Sequence, residues 1–379
     1  MTSSQRGRID FGRAYGGPGK YVQRAGELSR LPEHLRPLGG KAFVLVDGFV
    51  LDKIGPQLVA SLKQGDLVHV IERFGGECCS EEIERVAAAA RRFGAEMIVA
   101  VGGGKTADTA KVAACEIGAR IAIAPTIAST DAPCSAIAVR YSALGVYQQS
   151  MFLPRSPDIV VVDSAVIAAA PVRFLVAGVG DALSTWFEAR SNLDTGSPNL
   201  IASGFPTPLA GVAIAKACHD VLMRDALAAK LAVERGALTQ AVENIIEANT
   251  LLSGLGFENC GVSGAHGIHD GLTILEETHG FFHGEKVAFG VLCLLMLEGR
   301  PLAEIEATAK FCRSLGLPTR LADLNLGGAS RADIERVAEA SLAPDSATWR
   351  SAAPLSVAAV RDAIFALDAF TSSLGAAGG

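Results

Sequence analysis

MIVAVGGGKTADTAK, Met97–Lys111, passes from five apolar residues through three glycines into a run with helical spacing. An unbroken apolar run ending in glycine reads as a strand buried on both faces, and a helix directly after it makes that strand one arm of a crossover. The same texture recurs on either side: KAFVLV (Lys41–Val46), LVHVI (Leu67–Ile71), IAIA (Ile121–Ala124) and IVVVD (Ile159–Asp163). Between them, Glu81–Phe93 (EEIERVAAAARRF) sets Ile83, Val86, Ala90 and Phe93 on one stripe. Ser80 stands where an N-cap belongs, and Glu81 and Glu82 suit the positive end of the helix dipole. Strand, helix and strand in repetition predict a parallel sheet with right-handed crossovers.

After Ala170 the strand-like runs stop and Ala/Leu-rich helical patterns take over, as in Leu238–Leu255 (LTQAVENIIEANTLLSGL). The predicted fold class is therefore α/β plus all-α, with a parallel-sheet, Rossmann-like domain over 1–170 and a helical domain over 171–379. A chain of 379 residues suits two domains, and the cleft between domains is a preferred ligand site.

Bulk properties narrow the function classes. A net charge of -6, with no Lys/Arg-rich run, argues against nucleic-acid or anionic-membrane partners. Val287–Leu297 (VAFGVLCLLML) is too short to span a bilayer. The N-terminal MTSSQRGRIDFGRAYGGPGK contains no apolar signal region. Eight scattered cysteines without a CxxC suit reduced thiols, so a cytoplasmic location is expected.

The glycine run returns as a phosphate cradle. Gly102, Gly103 and Gly104 are expected to free the backbone for positive φ, and the helix behind them offers unpaired N–H groups to a pyrophosphate. The spacing is neither GxGxxG nor a GxxxxGK[ST] loop. Asp47 ends the VLVD strand, where its carboxylate can accept from a ribose diol and repel a 2′-phosphate, favouring NAD over NADP; a plain helix-cap role is an equal reading. Ala124–Ala136 (APTIASTDAPCSA) forms a polar loop after the IAIA strand, the end at which open α/β sheets bind ligands.

Four of the seven histidines, His266, His269, His279 and His283, crowd into AHGIHDGLTILEETHGFFHGEKV (Ala265–Val287). Histidine is the commonest metal ligand. His266 and His269 are spaced for one helix face, and His279 and His283 are spaced for another. A catalytic zinc takes three protein ligands and keeps one open position. Asp181 in AGVGDALSTWFEA is the carboxylate candidate, against the reading that it is an N-cap. Spacing alone does not choose among the four histidines.

Taken together, GGGKTADTAK, APTIASTDAPCSA, AGVGDALSTWFEAR, AHGIHDGL and HGEKVAFG, with YVQRAG and FGGECCSEEIER, resemble the glycerol dehydrogenases of the iron-containing/polyol alcohol dehydrogenase superfamily. The resemblance runs in order from about Tyr21 to Leu317. It implies NAD and a divalent zinc in the interdomain cleft, with Asp181, His266 and His283 as metal ligands. Relatives that hold iron carry a fourth ligand, a histidine four residues after the aspartate, where this chain has Thr185. His269 and His279 become cleft-lining candidates. The implied cofactor residues are Asp47, Gly102, Gly103, Gly104, Lys105, Thr106, Ala107, Asp108, Thr126, Ile127, Ala128, Ser129, Ser135, Ile137 and Tyr141. Asp131 would face the substrate hydroxyls and, with the three ligands, make up the catalytic set.

The reaction so implied is glycerol plus NAD to dihydroxyacetone plus NADH, with related vicinal diols as further substrates, in a homo-oligomer. Three details depart from the commonest pattern: Ser263-Gly264-Ala265 before His266, Asp270 in place of a frequent asparagine, and Arg140 before Tyr141. Three rival readings remain. A sister dehydrogenase of 2-hydroxy or 2-keto acids using NAD(P) could exploit Arg140. A lyase resembling dehydroquinate synthase would need more basic residues than the TDAPCSA loop offers. A structural zinc in a binding protein would need neither the glycine run nor Asp47.

Overall fold

The computed structural model describes residues 12–143, 147–202 and 204–376. The stretch read above for a signal region lies partly outside them, at residues 1–11. Six strands form one parallel sheet: β1 (Tyr21–Gln23), β2 (Lys41–Val46), β3 (Val68–Arg73), β4 (Met97–Gly102), β5 (Arg120–Pro125) and β8 (Ile159–Val162), in the order β1-β8-β5-β4-β2-β3. Two further strands, β6 (Ile137–Tyr141) and β7 (Tyr147–Phe152), make a separate antiparallel hairpin.

Alternation along β2 explains why the sheet is covered on both sides. Ala42, Val44 and Val46 pack with Leu28, Leu31, Leu58 and Leu62 on one face. Phe43 and Leu45 pack with Val86, Ala90, Ala107 and Ala110 on the other. The strands β2, β4, β5 and β8 are thus buried on both faces. By contrast β3, at the sheet's edge, is only half-buried and its Val68 is exposed, which corrects the expectation for the Leu67–Ile71 run. The helix Ser80–Phe93 buries Ile83, Val86 and Ala90 as its stripe predicts. Its N-cap is Cys79, however, and Ser80 is already the first helical residue, so the expected Ser80 cap is corrected by one position.

Chain order places the ligand end of the sheet. β3 lies on one side of β2 and β4 returns to the other, so the strand order reverses between β2 and β4. Open parallel sheets bind ligands outside the carboxyl ends of the strands at such a switch point. There Asp47 N–H donates to Val101 O at 2.9 Å, bringing Asp47 and Gly102 side by side.

Beyond Pro171 the described residues form helices and connecting turns, apart from an isolated bridge between Pro198 and Pro206. No helix among the described residues is long and apolar enough to cross a membrane. The described start of the chain packs onto this helical half: Asn259 bonds both Gly16 N–H and Gly16 O, and Asn199 donates to Ala14 O. Residues 14–17 therefore lie spatially with the helices, across the boundary drawn near Pro171.

Candidate metal centre and nucleotide cleft

Two helices with glycines at their crossing bring Asp181 to His283. Asp181 sits in the middle of Val172–Thr195, not at its cap, and its side chain is 3% exposed. His283 is the first residue of His283–Leu297. A Cβ on Gly180 would collide with Gly284 O, and one on Gly284 would collide with Ala177 O. Only glycine at both places lets the backbones touch, which sets the distance between the two side chains. Arg173 clips the assembly, donating to both Glu285 carboxylate oxygens at 2.7 and 2.8 Å, while Glu285 closes the first turn through Phe282 N–H.

His266 comes from Gly264–Leu272. Gly264, Gly267 and Gly271 line one face of that helix against Ser351, Thr348 and Ser341. A Cβ on Gly290 would strike Ala265 O, so this helix also rides directly on the His283 helix. His266 Nε2 lies 3.6 Å from Asp181 Oδ1, and His283 Nε2 lies 3.2 Å from the same oxygen. One donor atom from each of the three residues falls within a 4.8 Å group. Ligands about 2.0–2.1 Å from a tetrahedral zinc stand about 3.3 Å apart, so the donor set fits a small divalent metal. The two imidazoles keep 20% and 34% of their side-chain surface open, which leaves the cleft side accessible.

The electrostatics agree with a cation site. Burial alone would raise the Asp181 carboxyl, but His283 and His266 together hold it below the ordinary carboxylate range. Asp131 shows the opposite balance. Burial, then the Asp181 charge, push it well above that range, and its Oδ2 accepts from Ser253 Oγ at 2.6 Å. Ser253 also meets Thr185 Oγ1 at 2.9 Å, so the Thr185 hydroxyl is engaged in a buried hydroxyl pair.

The remaining histidines separate. His269 is buried, with Nδ1 3.0 Å from Asp270 Oδ1 and Nε2 3.0 Å from His283 Nδ1. Burial and the neighbouring His283 lower its pKa to about 3, keeping it neutral. His279 is exposed and bonds Thr273 O at 3.0 Å. The 3-10 turn Glu276–Thr278 precedes it, so the expected helix face shared by His279 and His283 does not form.

On the nucleotide side, none of Gly102, Gly103 and Gly104 has positive φ, correcting the reason given for them. Their role is close approach. A Cβ on Gly102 would lie 2.6 Å from Thr106 Oγ1 and 3.0 Å from Asp47 Cβ; one on Gly103 would lie 3.0 Å from Ile127 Cδ1, and one on Gly104 3.1 Å from Thr130 Oγ1. The helix Gly104–Ile117 begins with no side-chain cap, so its first N–H groups remain available to an anion. Asp47 Oδ1 caps the following helix through Phe49 and Val50 N–H.

Several of the cofactor candidates act on the protein itself. Asp108 is buried, 2.8 Å from Lys111 Nζ, and accepts from Val139 N–H at 3.0 Å. Lys105 pairs with Glu77 at 2.5 Å and stands over the Tyr141 ring. Ala107 belongs to the sheet core, Thr126 and Ala128 are buried, and Ser135 is 1% exposed. Ile127 and Ser129 are half-buried on the loop, as are Ile137 and Tyr141 at the two ends of β6.

Four residues that the sequence reading did not single out hold this site. Lys111 is buried and donates to Ala132, Ser135 and Ile137 carbonyls, stapling the 124–136 loop from below. Asn249 donates to both Ala128 O and Leu175 O at 3.0 Å, tying that loop to the Asp181 helix. It sits in a π-helical turn, Ala248–Leu252, a distortion frequent at functional sites. Glu188, fully buried two turns after Asp181, meets His266 Nδ1 at 2.7 Å and accepts from Ser263 and His266 N–H. The i,i+7 spacing of Asp181 and Glu188 was its one sequence signal.

Glu258 is the fourth, accepting from Ala136 N–H at 2.7 Å. Burial pushes its carboxyl up to about 7. Between the unfolded glutamate value near 4.3 and about 7, the folded protein holds a proton that the unfolded chain has lost. The stability so gained is present at low pH and disappears as pH rises through 7, roughly 4 kcal/mol at most. Glu258→Gln is expected to shrink the fall in Tm between pH 5 and pH 8; an undiminished fall would contradict this assignment.

Comparison with known proteins follows the same lines. The family model for iron-containing alcohol dehydrogenase matches residues 18–164. Glycerol dehydrogenase of Thermotoga maritima is 46% identical over 354 residues, spanning 93% of this chain and 95% of its own. The crystal structure of a probable glycerol dehydrogenase from Sinorhizobium meliloti is 63% identical, covering 95% of this chain and 99% of its own with a TM-score of 0.91. That of glycerol dehydrogenase from Schizosaccharomyces pombe is 37% identical, covering 96% and 92% with a TM-score of 0.92. Sequence and fold agree, and this chain belongs to the iron-containing alcohol dehydrogenase family.

Proposed function

We propose that the chain oxidises glycerol and related vicinal diols to hydroxyketones, glycerol giving dihydroxyacetone, with zinc and NAD. The observation carrying this reading is the convergence of Asp181, His266 and His283 donor atoms within 4.8 Å, in a cleft where two imidazoles remain open. The family relationship supports an alcohol as substrate. Thr185, bonded to Ser253, favours a three-ligand zinc over a four-ligand iron.

A zinc in this triad supplies Lewis acidity that lowers the pKa of an alcohol, and NAD supplies the hydride acceptor. The chain's own groups do the rest. Asp181, His266 and His283 would hold the metal, with Asp181 Oδ1 and the two Nε2 atoms already facing one another. Asp131 commits Oδ2 to Ser253, so Oδ1 is the atom left to accept from a second substrate hydroxyl. The Gly104 helix start would receive the pyrophosphate, and Asp47, whose Oδ1 is used in the cap, would have Oδ2 left for the ribose diol. Donors and acceptors already fixed by the fold would bind and orient the two reactants at little reorganisation cost.

The lyase reading finds no support in the basic residues. Lys111 spends its ammonium on three carbonyls and Asp108, and Lys105 is paired with Glu77.

Oxidation rates with NAD and NADP across glycerol, 1,2-propanediol and small hydroxy acids test the assignment. Preference for glycerol or propanediol with NAD is expected; preference for a hydroxy acid, or for NADP, would contradict it. Asp131→Ala should raise KM for glycerol by up to about tenfold, the worth of one hydrogen bond, with zinc content intact. An unchanged KM would remove Asp131 from substrate binding.

A further inference from the structure

We propose that His269 and Asp270 are positioning residues for the metal, acting through His283. The inference rests on the metal reading of the Asp181, His266 and His283 triad, and it concerns which nitrogen of His283 carries a proton. His283 is gripped at both ring nitrogens: Nε2 faces Asp181 Oδ1 at 3.2 Å and Nδ1 meets His269 Nε2 at 3.0 Å. The two rings stand edge to face with centroids 4.2 Å apart, so neither can swing without breaking the contact.

Between two neutral imidazoles a hydrogen bond can run either way. If His269 Nε2 held the proton, it would donate to His283 Nδ1, placing the His283 proton on Nε2, where it would block a metal. Asp270 decides the direction. An ionised carboxylate only accepts, so His269 keeps its proton on Nδ1, 3.0 Å from Asp270 Oδ1, and presents a bare Nε2. His283 must then donate from Nδ1, which leaves the Nε2 lone pair facing the cleft. Protons run from His283 to His269 to Asp270, and the ligand lone pair is the consequence. His266 reaches the same state by a shorter route, with Nδ1 directly on Glu188 Oε2 at 2.7 Å. Groups of this kind behind a ligand histidine fix its tautomer and typically carry 10–100-fold in metal affinity.

Zinc affinity, measured by competition with a chromophoric chelator on metal-stripped protein, tests the proposal independently of turnover. His269→Ala is expected to bind zinc about 10–100-fold more weakly than the unaltered chain. His269→Gln should recover most of that loss, because its amide oxygen can accept the His283 proton. Asp270→Asn should fall between the two, since an amide can also donate and so permits the reversed chain. Melting of the metal-free proteins should agree among all variants, which places the loss at the metal and not in the fold. Affinity of His269→Ala within twofold of the unaltered chain would overturn the proposal, as would a His269→Gln no better than His269→Ala. An unaltered chain that binds no zinc would overturn the metal reading and this inference with it. An unaltered chain that binds zinc, responds to these substitutions and oxidises no diol would overturn the activity reading alone.

Discussion

Replacing Asp181 by Asn is expected to weaken zinc binding by about 1000-fold and to abolish metal-dependent turnover at ordinary zinc concentrations. Protein zinc sites bind with roughly 10–16 kcal/mol in all, so one ligand of three carries about 4 kcal/mol, or three decades of affinity. Asp181 also supplies the site's only negative ligand and the oxygen on which both Nε2 atoms converge. In the metal-free protein the same carboxyl is depressed by His283 and His266 against the pull of burial. Its stabilisation is therefore full above the unfolded aspartate value near 3.9 and is lost as pH falls through the folded one. Asp181→Asn should flatten the acid limb of metal-free stability while destroying zinc affinity. Equilibrium zinc competition and acid titration of Tm measure the two effects. Retained affinity would remove Asp181 from the ligand set.

Gly284→Ala is expected to cost about 3 kcal/mol of stability or more, a large effect for one methyl group. Its Cβ would enter the space of Ala177 O and stand 2.8 Å from Asp181 N. Both are backbone atoms of a helix buried along most of its length, so no side chain can rotate aside. The Asp181 and His283 helices must then separate at the point where their ligands meet. Chemical denaturation of the metal-free variant should show the lost stability, and zinc affinity should fall with it. A variant as stable as the unaltered chain would mean that the crossing tolerates more space than its backbone contacts allow. Gly280, with no neighbour near its missing Cβ, is the matched control.

Glycines mark the boundary of what the sequence made legible. β2, β4, β5 and β8 were readable because each is an apolar run buried on two faces, a pattern that depends on composition alone. The Leu67–Ile71 run was legible as a strand but not in its burial, since β3 is the sheet's edge, half-buried with Val68 exposed. β1 was not, since three residues carry no period. The β6–β7 hairpin was also missed. Its second strand, Tyr147–Phe152, is mostly exposed and polar, so no burial pattern marks it. Gly102–Gly104 were recognisable as a tight strand-to-helix turn, but the expected positive φ is absent, because clearance and positive φ leave the same letter in a sequence.

The site divides the same way. Four crowded histidines announced a metal, and resemblance picked His266 and His283 from them. Spacing could not, because Gly280 and the Glu276–Thr278 turn break the helix that would have paired His279 with His283. Asp47 had two even readings, and Oδ1 in the cap leaves room for both. Glu188, Ser253, Asn249 and Lys111 act across 78, 122, 121 and 24 residues of chain respectively, distances over which a single sequence carries no pairing signal.

Zinc-dependent oxidation of glycerol is the central claim, and NADH absorbance reads it directly. The protein is stripped with a chelator, divided, and assayed with glycerol and NAD before and after zinc is returned. The account expects no NADH from the stripped half and restored release from the other, with recovery saturating at one zinc per chain. Oxidation that persists without metal, or a zinc-loaded protein that oxidises no alcohol, would contradict it.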